Sequence, residues 1–245
     1  MPLFSLADAR RRVCRLLIFS TMFNPRKEKM EKKLKKIMFN DNYGLTKAVL
    51  EGRKTQTRRM LNPTMLFQRL KTYEGWSNED IRAWKRSCNR RLYEAQGDIL
   101  QQMLDYALSS SHYKVGEEVS VAQSYKEICY SPSVQETIEN ELCMSVEDSA
   151  GWNNKMFVRA DLMRYRIKIT NVRVERLQDI SDNDCLKEGV EVIINKNGDK
   201  VFSLYTGGCY TTAKIAFSSL MDKICGKATW QRNPFVFVYD FELIR

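Results

Sequence analysis

Apolar and polar positions alternate over Tyr165–Arg176, where Tyr165, Ile167 and Ile169 are separated by Arg166, Lys168 and Thr170. A period of two predicts a strand with one face buried. At Asn171 the apolar phase moves to Val172 and Val174, which predicts a bulge there. Phe235–Ile244 reads FVFVYDFELI and predicts a strand covered on both faces, at least in its first half. Shorter strands are predicted at Ile37–Phe39 and Val115–Val121. Helical spacing places Leu45, Ala48 and Val49 on one face of Gly44–Glu51, with Gly52 as the stop. Ser181 and Asp184 form a cap for a helix over Ser181–Glu188, Ile180 and Cys185 can staple it, and Gly189 ends it. Ala213, Phe217, Leu220, Met221 and Ile224 mark a helix over Thr211–Ile224. Lys196-Asn197-Gly198-Asp199 predicts a turn.

Residues 64–112 read as a helical insertion. Ser77 stands three before Asp80, Ile81, Trp84, Cys88 and Leu92 recur at helical spacing, and Ile99, Met103, Leu104 and Ala107 continue the pattern. Residues 131–151 are acidic and polar with no clear period, and predict a loop. Phe157-Val158-Arg159 predicts a short strand. Strands at separated points, with a helix after the first, give an α+β domain over residues 36–245, interrupted at about 64–112.

Charge changes the picture at one end. The net charge is +10, but residues 1–40 hold eleven Lys and Arg against three Asp and Glu, leaving 29 against 27 elsewhere. Residues 1–35 therefore read as a basic arm for phosphate, or as sequence upstream of a start at Met22 or Met30. No apolar run is long enough to cross a membrane, and none suits a secretory signal. Seven scattered cysteines without a C-x-x-C pair predict reduced thiols in a cytoplasm. With His112 the one histidine, neither a zinc site nor a histidine-assisted nucleophile is expected, and no cofactor is called for. Any chemistry falls to Lys, Thr, Glu or Tyr.

Four stretches, in this order, carry a resemblance. They are Gly52-Arg53-Lys54-Thr55-Gln56-Thr57-Arg58-Arg59, Tyr113-Lys114-Val115-Gly116-Glu117-Glu118-Val119, Val172–Ser181 running into Lys187-Glu188-Gly189, and Trp230–Val238. The first fits the pattern G-x-K-x-x-T-x-R. Together they resemble the phage-associated branch of the ASCH (activating signal cointegrator-1 homology) family, over about residues 36–245. The resemblance implies a PUA-like mixed β-barrel with flanking short helices, and a cleft for RNA or a nucleoside. One branch of the family is similar to N4-acetylcytidine amidohydrolases. By that resemblance Lys54, Thr57 and Glu188 are the catalytic candidates. Arg53, Arg58 and Arg59 are candidates for gripping RNA or a modified nucleoside.

The trio is chemically reasonable. A threonine hydroxyl needs a neighbour to take its proton, and a lysine can do so when desolvation or nearby cations weaken its hold on its own. Glu188 falls in the last turn of its predicted helix, where the dipole disfavours negative charge and suits a general acid. On a regular strand, however, Lys54 and Thr57 point to opposite faces, so convergence needs a turn after Gly52. A basic loop after a helix is also a common solvated surface. Tyr125 is a candidate cleft residue, and Trp152, after Gly151, a candidate base-stacking platform. Ala122-Gln123-Ser124-Tyr125 and Lys155-Met156-Phe157 depart from what relatives carry there, so the ligand does not transfer from them. Three readings stand: an amidohydrolase on an acylated nucleoside, a non-catalytic RNA-binding module, and a protein-interaction domain of a phage or mobile element.

Overall fold

The structure is a computed structural model that describes residues 34–62, 77, 79, 82–83 and 97–244. In chain order the elements are β1 (Lys35–Ile37), α1 (Leu45–Leu50), β2 (Gln56–Met60), α2 (Gly97–Ser109), β3 (Glu118–Val121), α3 (Tyr125–Ile128) and α4 (Pro132–Leu142). There follow β4 (Arg166–Arg176), α5 (Asp182–Lys187), β5 (Glu191–Ile194), β6 (Lys200–Ser203), α6 (Ala213–Cys225), α7 (Thr229–Arg232) and β7 (Phe235–Ile244). The class is α+β. Five strands form one sheet in the order β1-β3-β4-β7-β2, and β5-β6 form a separate two-stranded ribbon. Among the described residues no pairing joins the two end strands, so the sheet is open rather than a closed barrel. The basic arm and most of the expected insertion lie outside the described residues; α2 is the C-terminal end of that insertion.

The chain divides into two compact units. The larger holds the described residues between 39 and 119 and residues 165–244. Its centre is β7, which pairs antiparallel with β4 on one side and β2 on the other. A strand flanked on both sides and covered on both faces needs apolar residues at consecutive positions. Phe235, Val236, Val238, Tyr239 and Phe241 are accordingly buried. The register shift in β4 falls between Ile169 and Asn171, where the apolar phase changes in the sequence. α6 buries Ala213, Ala216, Phe217, Leu220 and Met221, a stripe at helical spacing, and Thr212 caps it by accepting from the Ile215 N–H at 3.2 Å. α5 is capped by Ser181, whose hydroxyl accepts from the Asp184 N–H at 3.1 Å. It ends at Gly189, whose φ of +106° suits glycine. A side-chain carbon at Gly189 would lie 3.4 Å from Leu45 and 3.9 Å from the stem of Lys54, so α1 and Lys54 close directly over this backbone.

The described residues of the smaller unit are 34–38 and 120–164. Its core is Ala122, Tyr125, Ile128, Ile138, Val146, Val158 and Met163. Two expectations fail here. Residues 131–151 are not all loop: Pro132–Leu142 is a helix, with Ser131 as its cap and Pro132 in its first turn, and only 143–151 lack a helix or strand. Its apolar residues, Val134, Ile138 and Leu142, recur every four positions and pack on the core. One apolar residue per turn is enough for a helix that only covers a small unit, but it is a thin signal among glutamates. Phe157-Val158-Arg159 is not a strand either, because Lys155–Phe157 is a 3-10 turn capped by Asn154. The Lys36 ammonium pins that turn by donating to the carbonyls of Lys155, Met156 and Val158.

Candidate functional site

The pairing register decides which side chains share a face. Residues directly opposite in an antiparallel pair point the same way, and alternate residues along a strand do too. Gln56 lies opposite Asp240 and Arg58 opposite Val238. Across β7, Val238 faces Arg173 and Val236 faces Glu175. One face of the three strands therefore carries Gln56, Arg58, Asp240, Arg173 and Glu175. α5 adds Asp184, and Glu188 follows at its C-terminal cap.

These groups form a continuous ion-pair network around Arg58. Its side chain is 0% exposed. One terminal nitrogen donates to Glu188 at 3.0 Å and to the Gln56 carbonyl, and the other donates to Glu175. Gln56 donates in turn to Asp240 at 2.6 Å and to Asp184 at 3.3 Å. Arg173 ties Glu175 to Asp240, at 3.0 and 2.6 Å. The Arg58 Nε is buried and has no hydrogen-bond partner among the described residues. The guanidinium instead lies over the ring of Phe217, 5.8 Å from its centroid.

Lys54 enters this network from just before β2. Its side chain is 2% exposed, and its ammonium donates to the Glu188 carboxylate at 2.6 Å and to the Glu188 carbonyl at 2.8 Å. Two of the three ammonium donors are thus spent on a residue 134 positions away. Burial lowers the pKa of Lys54, Glu188 opposes it, and Arg59 and Arg58 push in the same direction as burial.

Of the expected catalytic residues, Lys54 and Glu188 meet. Thr57 is buried, but strand alternation sets it on the other face from Gln56 and Arg58, opposite Tyr239. Gly52 does turn, at φ +74°. Lys54 lies outside the strand, and its ammonium also stands 5.9 Å from the centroid of Phe39, which packs on Phe241 of Thr57's face. Arg59 lies over the same Phe39 ring at 5.8 Å. Arg53 is exposed and paired with Glu51 and Glu191. Tyr125 is buried in the core of the smaller unit, against Gly151, where an added side-chain carbon would come within 2.5 Å of its ring. Trp152 packs half-buried on that same core.

Sequence reasoning did not single out Gln56, Arg173, Glu175, Asp184 or Asp240. A signal was present: charged residues at alternate positions of strands that are otherwise apolar, most plainly Asp240 within FVFVYDFELI. Among the described residues no group of three or more His, Cys, Asp and Glu is placed to hold a metal. No described helix is long and apolar enough to cross a membrane.

Asp184 gives the network a pH dependence. Burial alone would raise its pKa, but the bond from Ser181, the charge of Arg58, the bond from Gln56 and the charge of Lys187 outweigh it, and the net shift is downward. A carboxylate with a lowered folded-state pKa contributes stability that is present above its unfolded value and lost as pH falls through the folded value. Urea midpoints measured from neutral pH into the acid range are expected to fall less steeply for Asp184→Asn than for the wild type.

Comparison with family models, with curated proteins and with solved structures finds no match to this chain.

Proposed function

We propose that this chain is a nucleoside- or RNA-binding protein of the ASCH type, and that its open sheet corresponds to the family's PUA-like barrel. The observation that carries this reading is the buried contact of Lys54 with Glu188, the two positions that the resemblance pairs across most of the chain. A buried lysine–carboxylate pair costs desolvation energy that an apolar pair would not. Its place beside Arg58 and Arg59 fits a site that recognises polar groups of a base. In the catalytic form of the reading, Thr57 attacks the acyl carbon of an acylated nucleoside. Lys54, neutral in that step, takes the hydroxyl proton. That proton passes by way of Glu188 to the leaving amine nitrogen, and water then hydrolyses the threonine ester, releasing the acid and restoring the Thr57 hydroxyl. The position of Thr57 across β2 favours the second reading, a binding module without turnover.

The test uses purified protein with N4-acetylcytidine and related acylated nucleosides, and single-stranded RNA in parallel. Release of acid and free nucleoside is followed by mass spectrometry, and binding by calorimetry. Thr57→Ala is expected to abolish turnover and keep binding. Lys54→Met is expected to lower turnover by about 10²–10⁴-fold, the range for loss of a general base. Binding by the wild type without turnover would select the module reading. Failure to bind any nucleoside or RNA would remove both.

A further inference from the structure

The β5–β6 ribbon leaves one edge open. Its register pairs Glu191 with Ser203, Val192 with Phe202, Ile193 with Val201 and Ile194 with Lys200. The Asn195 N–H donates to the Asp199 carbonyl at 2.9 Å, which fixes the phase of the ladder. In an antiparallel pair, hydrogen-bonded and non-hydrogen-bonded positions alternate. Residues 191, 193 and 195 therefore direct their backbone groups toward β6, and Val192 and Ile194 direct theirs away from it. The opposite edge of the ribbon is bridged at Phe202, which exchanges N–H and C=O bonds with Tyr210 at 2.9 and 2.8 Å. Among the described residues nothing answers the outward groups of Val192 and Ile194.

This edge also carries apolar side chains. Val192, Ile193 and Ile194 are 41%, 37% and 66% exposed. Open edges are ordinarily guarded by a charge, a proline or a bulge, and residues 192–194 have none. The end charge, Glu191, is already paired with Arg53 at 3.0 Å.

We infer that this edge pairs with the same edge of a second copy of the chain, antiparallel about a twofold axis through Ile193, to make a four-stranded sheet. The backbone specifies the occupant as an extended strand, and the sequence suits a copy of itself. With Ile193 opposite Ile193 of the second copy, each Val192 falls opposite the other copy's Ile194, so every outward N–H meets an outward C=O. Val192 and Ile194 of both copies then share one face, and the two Ile193 side chains meet on the other. Their backbones come as close as the non-hydrogen-bonded position allows, about 4.5 Å between Cα atoms. In this register Glu191 faces Asn195 and Lys196 faces Val190, so no like charges oppose each other. An isologous contact of this kind closes on itself and does not propagate into a fibre. The inference is independent of any nucleoside or RNA reading.

Sedimentation velocity over a wide concentration series is expected to show a reversible monomer–dimer equilibrium for the full chain. Ile193→Lys sets two ammonium groups against each other across the axis and is expected to abolish the dimer, and Ile193→Glu likewise. Mixing the two variants is expected to restore a mixed dimer, because the charges then pair. Ile194→Pro removes an outward N–H that β6 does not use, and is expected to abolish the dimer while keeping the hairpin. Unchanged thermal midpoints at low concentration separate these losses from misfolding. A wild type that stays monomeric throughout overturns the inference. So does a dimer that survives Ile193→Lys, or two monomeric charge variants that fail to associate when mixed.

Discussion

Glu188→Ala is expected to cost about 3–5 kcal/mol of folding stability, the range for breaking a buried ion pair from one side. The size follows from what is left behind. The Glu188 carboxylate accepts from Lys54 at 2.6 Å and from Arg58 at 3.0 Å, and both partners are nearly fully buried. Alanine leaves two cations in a low-dielectric space, with Lys54 keeping a single backbone carbonyl as acceptor. Arg58 retains Glu175 and Gln56, so the larger share of the loss falls on Lys54. Urea denaturation measures it directly. The double variant Lys54→Met with Glu188→Leu removes both charges and is expected to recover most of the loss, since an apolar pair of similar volume is often neutral or better. That double variant also separates the structural from the functional role of the pair. If it folds at near wild-type stability and no longer binds a nucleoside or RNA, the charges serve the ligand rather than the fold. Equal losses in the single and double variants would count against the pair as the centre of the network.

Phe217→Ala is the second large effect, expected at about 3–5 kcal/mol, as for other buried aromatic truncations. Phe217 is 1% exposed, meets Trp230 edge-on at 6.2 Å between centroids, and lies against the Arg58 guanidinium. Removing it opens a cavity under α6 and lets water reach an unpartnered Arg58 nitrogen. Water there relieves desolvation, so part of the cavity cost is returned, and the outcome should fall at the lower end of the range. Phe217→Leu keeps most of the volume and is expected to cost markedly less. The two variants together, measured by thermal and urea unfolding, tell volume from ring chemistry. A Leu variant as unstable as Ala would mean that the aromatic face toward Arg58 carries the energy.

The sequence by itself determined the elements whose signals are local. The alternation from Tyr165 to Arg176, with its phase shift at Asn171, is a property of neighbouring residues, and it yields β4 and its bulge. Ser181 with Asp184 and Gly189 brackets α5, Gly52 stops α1, the stripe from Ala213 marks α6, and Phe235–Ile244 is β7. Caps, stops and periods act within about one turn or one strand, so they are readable without a fold. Where the local signal was thin, the reading failed: Pro132–Leu142 shows one apolar residue per turn among glutamates and becomes a helix because those residues have a core to cover. The environment of the site was decided by tertiary structure alone. Gly52–Arg59 has the composition of a solvated basic loop, yet Lys54 and Arg58 are buried within it. They are buried because β2 and β4 flank β7 in a register that puts Arg58, Gln56, Asp240, Arg173 and Glu175 on one face. α5 then brings Asp184 and Glu188 to that face, and the ring of Phe217 lies against the Arg58 guanidinium. Charge burial depends on partners more than a hundred residues away in the chain, and no local pattern encodes them. The same register set Thr57 on the opposite face from Arg58, because a strand's period of two overrides the nearness of residues in sequence.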